Sequence, residues 1–155
     1  MESDKILTTQ GDRYTVFSLW DTYRNVHQLL TLVYPERQLQ MVRSMLDMYR
    51  EHGWLPKWEL YGSETLTMEG DPSIPVIVDT WLKGLRDFDI ELAYEAMRKG
   101  ATLPGAENLL RPDNDDYVSL GYVPLREQYD NSVSHALEYY IADNALSRIA
   151  AALGK

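Results

Sequence analysis

The strongest constraint on this chain is a helical spacing of apolar residues that runs, with two interruptions, from Val16 to Leu153. No stretch shows the two-residue alternation of a half-buried strand. Five segments carry the helical period. Val16–Val33 has apolar side chains most of the way round (among them Phe17, Leu19, Trp20, Tyr23, Val26, Leu29 and Leu32) and reads as a helix buried on several sides. Pro35–His52 is amphipathic, with Leu39, Val42, Met45, Leu46 and Tyr49 on one stripe and Arg37, Gln40, Arg43, Asp47 and Arg50 opposite. Pro35 suits its first turn and Gly53 its stop. Pro72–Lys83 is again apolar nearly all round, through Ile74, Val76, Ile77, Val78, Trp81 and Leu82. Asp89–Lys99 has an aspartate cap and the single stripe Ile90, Ala93, Tyr94 and Met97. Ser132–Leu153 is long, mostly apolar and closed by Gly154.

The order is therefore inner, outer, inner, outer, inner. Very few residues join the first helix to the second or the third to the fourth, which makes antiparallel αα-hairpins. The other two connections, Gly53–Asp71 and Gly100–Asn131, are long and rich in Pro, Gly and Asp. In an up-down array both emerge at the end where the first helix starts. Loops of this length in a compact domain are functional or disordered, and Trp54, Trp58, Tyr61, Tyr117 and Tyr122 argue for order. The expected fold is all-α: αα-hairpins forming part of a toroid, whose site is built by loops at one end. Residues 1–13 read as a disordered or linker segment and 14–155 as the partial toroid. A closed ring of twelve such helices would need roughly 370 residues, beyond the usual single-domain size, so the chain is expected to be a portion of a larger catalytic domain. Inner helices left without neighbours predict self-association.

Composition narrows the partners. Fifteen Lys and Arg face 24 Asp and Glu, a net charge of −9, which disfavours nucleic acid and anionic membrane surfaces. No apolar run reaches the ~20 residues of a membrane span. With no cysteine there is no thiolate metal site, no disulfide and no Cys nucleophile. The first residues, Met1 to Tyr14, have neither the basic nor the apolar region of a signal peptide.

Several side chains could bind a ligand. Asp21 and Arg24 share one face beside Trp20 near the start of the first helix, either as a buried ion pair or as a grip on sugar hydroxyls with Trp20 against ring C–H groups. The loop Gly53-Trp54-Leu55-Pro56-Lys57-Trp58-Glu59 mixes aromatic faces with a cation, which suits carbohydrate or loop packing. Glu64, next to Gly62 and Ser63, could bind a hydroxyl or hold a local turn. Asp71 reads as a helix N-cap. Asp113-Asn114-Asp115-Asp116 fails the EF-hand pattern and reads as a solvated acidic turn. His27, His52 and His135 lack zinc-site spacing. Glu138 and Asp143 are inner-face carboxylates, with a structural hydrogen bond the expected role of Glu138.

Tyr14-Thr15-Val16-Phe17-Ser18-Leu19-Trp20-Asp21-Thr22-Tyr23-Arg24, Gly53-Trp54-Leu55-Pro56-Lys57-Trp58, Gly62-Ser63-Glu64-Thr65 (usually G-N-E-T), Gly121-Tyr122-Val123-Pro124 and Leu137-Glu138-Tyr139 together resemble the signature of glycoside hydrolase family 92. The resemblance covers residues 14–155 in order. It implies an (α/α)6 toroid and an exo-acting, calcium-dependent α-mannosidase that inverts the anomeric centre, bacterial and secreted or periplasmic. Inversion needs an acid and a base on opposite faces of the sugar, ~6.5–9.5 Å apart. The family's later acidic motifs have no counterpart here, so the acid, the base and the calcium ligands are expected outside this chain. What remains implies the mannose-binding part, with Trp20, Asp21, Arg24, Lys57, Trp58 and Glu64 on an α-mannoside or mannose-containing glycan. Glu64 is a minor candidate for the acid. The competing readings are a non-catalytic helical carbohydrate-binding or scaffold module, and a different (α/α)6 glycosidase or phosphorylase.

Overall fold

The structure is a computed structural model and describes residues 8, 9, 11–126 and 131–155. Much of the expected N-terminal linker, and part of the second long connection, lie outside the described residues. The elements run α1 (Leu19–Thr22), α2 (Val26–Val33), α3 (Pro35–His52), β1 (Glu59–Leu60), β2 (Ser63–Glu64), α4 (Ser73–Leu82), α5 (Ile90–Thr102), a 3-10 turn (Gly105–Glu107), α6 (Asn114–Leu120) and α7 (Ser132–Leu153). Among the described residues the regular structure is helical apart from a short antiparallel hairpin, in which Glu59 pairs with Glu64 and Leu60 with Ser63. Its architecture is that of part of an (α/α)6 toroid.

α4 is the centre of the packing, touching α7, α2 and α3, while α5 covers α7 and α3. Ile74, Val76, Ile77 and Val78 of α4 are buried against Val42, Met45 and Leu46 of α3, Met97 of α5 and Ile149 of α7 in one apolar cluster. Each such side chain contributes roughly 1.5–3 kcal/mol by leaving water. A polar chain ties four helices, α1 to α4, together beside it. The His27 ring bonds Thr22 Oγ1 and Gln38 Oε1, and Gln38 Nε2 donates to Thr80 Oγ1. Burial holds the His27 imidazole below its ordinary pKa, with the Gln38 bond opposing.

α3 and α7 have the expected bounds, each closed by a left-handed glycine, Gly53 and Gly154. Asp89 caps α5 by accepting from Leu92 N–H at 3.0 Å. The first helix differs from expectation. Residues 14–18 are not helical, and Val16 has φ 61°, a conformation a β-branched residue rarely adopts. The helix also breaks after Thr22, where Asn25 sits at φ −153° and Gln28 Nε2 takes the freed Tyr23 carbonyl at 2.6 Å. Its second half is not enclosed either: Leu29, Leu32 and Val33 stand 56%, 76% and 51% exposed.

Two further readings are corrected. Asp71 does not cap α4, whose N-cap is Pro72 without a side-chain bond. The Asp71 side chain instead turns into the interior and is 2% exposed. The segment 113–116 is not a solvated turn, because Asp113 and Asn114 are buried at the start of α6.

Candidate active-site rim

The extended segment before α1 is stitched to the β1–β2 hairpin by one carboxylate. Buried Glu59 accepts from Val16 N–H at 2.8 Å, from Thr15 Oγ1 at 2.6 and 2.7 Å, and from Gly62 N–H at 2.6 Å. These bonds offset the unusual backbone at Val16. Leu19 N–H then donates to Lys57 O at 3.3 Å. The start of α1, next to Trp20, is thereby tied to the loop that carries Lys57, Trp58 and Glu64, while Arg24 makes its contacts with Trp20, Tyr23 and Glu138.

The roles of the six expected residues divide. Asp21 and Arg24 are exposed, and Trp20 is half-buried. Arg24 does not pair with Asp21. Its Nη2 donates to Glu138 Oε1 of α7 at 2.7 Å, and its guanidinium lies 4.5 Å from the Trp20 ring centroid and 4.8 Å from that of Tyr23. Tyr23 OH donates to the other oxygen of Glu138 at 2.6 Å, and burial together with that carboxylate pushes the phenol pKa up. The Trp20 indole N–H is buried and has no acceptor among the described residues.

Lys57 and Glu64 are engaged below the rim. Lys57 is 5% exposed and donates from Nζ to Leu110 O at 3.0 Å. Burial lowers its ammonium pKa, against the pull of Asp71, Glu64 and Asp113. Glu64 accepts from the backbone N–H groups of Lys57 at 2.7 Å, Trp58 at 3.0 Å and Leu66 at 2.8 Å. A carboxylate enclosed by three amides of its own loop is poorly placed to hand a proton to a leaving group. An open cavity of about 460 Å³, within the range of ligand sites, lies beside this loop and is lined by Lys57, Met68, Asn108 and His135 among others.

Beneath the rim lies a charged layer that the sequence did not reveal. Arg111 is fully buried, with Nη1 2.8 Å from Asp143 Oδ1, Nε 3.5 Å from Asp71 Oδ2, and its guanidinium 4.7 Å from the Tyr139 ring centroid. Among the described residues neither Asp71 oxygen has a hydrogen-bond partner, and desolvation raises its carboxyl pKa against the attraction of Arg111 and Lys57. Asp113 accepts from His135 Nδ1 and from Tyr139 OH, both at 2.7 Å. Burial raises its carboxyl, but these donors more than compensate and hold it below the ordinary range. Tyr117 OH donates to Asp143 Oδ2 at 2.8 Å. The one available signal was a cation set between Leu110 and Pro112, where apolar neighbours make a solvated arginine an unusual choice. Among the described residues no three His, Asp or Glu side chains gather to hold a metal ion.

The inverting mannosidase BT2199 of family GH92 from Bacteroides thetaiotaomicron is 36% identical to this chain and superposes with a TM-score of 0.83, over 92% of this chain and 19% of its own. The GH92 α-mannosidase BT3965 of the same organism, solved with mannoimidazole, is 39% identical with a TM-score of 0.82, over 92% of this chain and 18% of its own. A curated relative, an uncharacterized secreted glycosidase of Arthroderma benhamiae, is 30% identical over 72% of this chain and 16% of that protein. The chain thus spans less than a fifth of the length of these relatives. The family model described as the glycosyl hydrolase family 92 catalytic domain matches residues 1–155. With the helical array, the joined rim and loop, and this match over its whole length, the chain belongs to the family of glycosyl hydrolase family 92 catalytic domains.

Proposed function

We propose that this chain supplies the mannose-binding part of the catalytic domain of an exo-acting, inverting α-mannosidase. The observation that carries the reading is the Leu19–Lys57 backbone bond, which joins Trp20, Asp21 and Arg24 to the Trp58 loop on one rim. Trp20 and Trp58 offer apolar faces to sugar C–H groups, Asp21 accepts from hydroxyls and Arg24 donates to them. Lys57 and Glu64 act from below, holding the loop in shape. Inversion requires an acid and a base on opposite sides of the anomeric carbon; Glu64 is tied to its own backbone, and the family resemblance assigns both groups to later acidic motifs that have no counterpart in this chain. In the family's chemistry calcium binds sugar hydroxyls and helps distort the ring. The described residues gather no set of ligands for it, and none of the roles above passes through it. A bacterial, secreted or periplasmic enzyme acting on mannose-containing glycans is the setting the relatives support.

Titrating the chain with methyl α-mannoside should move the indole N–H signals of Trp20 and Trp58 in nitrogen-15 spectra and leave Trp81 in place. Unmoved Trp20 and Trp58 signals at high sugar concentration would end the proposal. The chain alone should release no mannose from an aryl α-mannoside, and release would put the acid and base back inside it.

The exposed apolar faces of α2 (Leu29, Leu32) and α7 (Val133, Leu137) should also make the isolated chain self-associate. Sedimentation that rises with concentration is the expected result; a strictly monomeric profile would contradict it.

A further inference from the structure

Arg24 is a cation on the rim, yet neighbouring carboxylates offset its field while keeping it protonated. Glu138 Oε1 binds its guanidinium at 2.7 Å, and Asp21 is the other carboxylate within electrostatic reach. One cation therefore faces two carboxylates. A free guanidinium at such a place would capture uronates or sugar phosphates in bidentate fashion. Paired as it is, Arg24 keeps N–H groups for donation while the rim offers no positive field.

Glu138 is held there from several sides. Its side chain is 11% exposed, while that of Arg24 is 43% exposed, so the carboxylate is the fixed member of the pair. Tyr23 OH anchors Oε2 at 2.6 Å. Gly70 packs so closely that a Cβ there would come within 2.5 Å of the Glu138 Cβ, and its φ of +82° also disfavours a side chain. Glu138 is thus approached from two separate places, at its Cβ by Gly70 in the connection from β2 to α4, and at its carboxylate by Tyr23 and Arg24 after α1.

We infer that Glu138 is a specificity-determining residue of the rim, neutralising Arg24 so that it serves as a hydroxyl donor and anionic sugars are turned away. The inference rests on the mannoside-binding reading and deepens it, by naming uncharged hexopyranosides as the substrate class against uronates and phosphorylated sugars. Glu138 acts through Arg24 and Tyr23, and is a positioning residue.

The test compares methyl α-mannoside with mannose 6-phosphate and mannuronate on the chain and on Glu138→Gln, read by the Trp20 indole signal. The unsubstituted chain should prefer the neutral sugar, and equal affinity for the anionic ones would overturn the inference before any variant is made. In Glu138→Gln the guanidinium loses its bonded carboxylate and keeps only the solvent-screened pull of exposed Asp21, so that preference should fall by about tenfold or more, the scale expected for freeing one bonded charge at a binding surface. A purely structural role would weaken all three sugars alike and leave the ratio unchanged, which also overturns it. Tyr23→Phe, which keeps both charges, should preserve the ratio. In an Arg24→Ala background Glu138→Gln should no longer alter it, and a persisting change would contradict action through Arg24. If the unsubstituted chain binds no neutral sugar, the mannoside reading fails. In that case anion binding gained only by Glu138→Gln would still support the charge assignment, and its absence would overturn that too.

Discussion

Arg111→Ala is expected to cost about 3–5 kcal/mol of folding stability, the usual price of stripping one partner from a buried ion pair. The guanidinium is fully buried and stands between two carboxylates, Asp71 and Asp143, over the ring of Tyr139. Asp143 is about one-third exposed and can recover water, whereas Asp71 cannot. With the cation gone, Asp71 would have only Lys57 nearby as counter-charge, and Lys57 Nζ already bonds Leu110 O. The deficit should depend on pH with a definite sign. Burial already raises the Asp71 carboxyl in the native state. A raised carboxyl favours folding below its unfolded pKa of ~3.9 and loses that contribution as pH rises through its folded value. The variant should therefore be most destabilised near neutrality, and the gap should narrow as pH falls toward ~4. Urea unfolding at both pH values measures it. The double variant Arg111→Met with Asp71→Asn should be more stable than Arg111→Ala at neutral pH, since position 71 is then neutral and Lys57 keeps Glu64 and Asp113 as counter-charges. A deficit that is small, or that widens in acid, would refute the account.

The second large effect concerns Glu64, where a structural and a catalytic role predict different outcomes. Glu64→Gln replaces an oxygen that accepts amide N–H groups with an NH2 group that cannot accept them. Three backbone donors, those of Lys57, Trp58 and Leu66, converge on this side chain. Hydrogen bonds to a charged group contribute ~1.5–3 kcal/mol each when buried, and partial exposure of this site brings the expected total loss to about 2–3 kcal/mol. The amide resonances of Lys57, Trp58 and Leu66 should move together, and protection from hydrogen exchange should fall across residues 57–66. An unaltered fold with unchanged amide signals would restore Glu64 as a free carboxyl. Because Lys57 O receives the Leu19 N–H, the same substitution should weaken mannoside binding at Trp20 without touching it.

Long, strongly periodic helices were legible in the sequence, and their ends were marked by chemistry that acts locally. Pro35, Gly53, Asp89 and Gly154 each do at the helix ends what their backbone or side chain dictates. Residues 16–33 misled because the apolar period continues across a break made by long-range contacts: Glu59 fixes Val16, and Gln28 captures the Tyr23 carbonyl. No window along the chain contains those partners. The hairpin of two-residue strands and the seven-residue α6 are too short to show a period at all. Trp20 and Asp21 lie in α1 and Arg24 just after it, and the 57–64 loop meets the start of that helix through the Leu19–Lys57 bond. The ion pair itself was not legible, because Arg24 has two carboxylates available by pattern and takes the one 114 residues away. Asp71 reads as a cap in the sequence because its position before Pro72 suits one; the buried Arg111, 40 residues on, is what draws it inward.

The stitching of the rim to the hairpin has a mechanical consequence. Through Glu59 and the Leu19–Lys57 bond, the tryptophan-bearing turn and the loop opposite it share a single foundation. A displacement of that loop would carry both jaws of the grip in the same direction, so their spacing survives even as the whole assembly tilts. On the proposed mannoside-binding role, opening and closing around a sugar would then fall to elements other than these two.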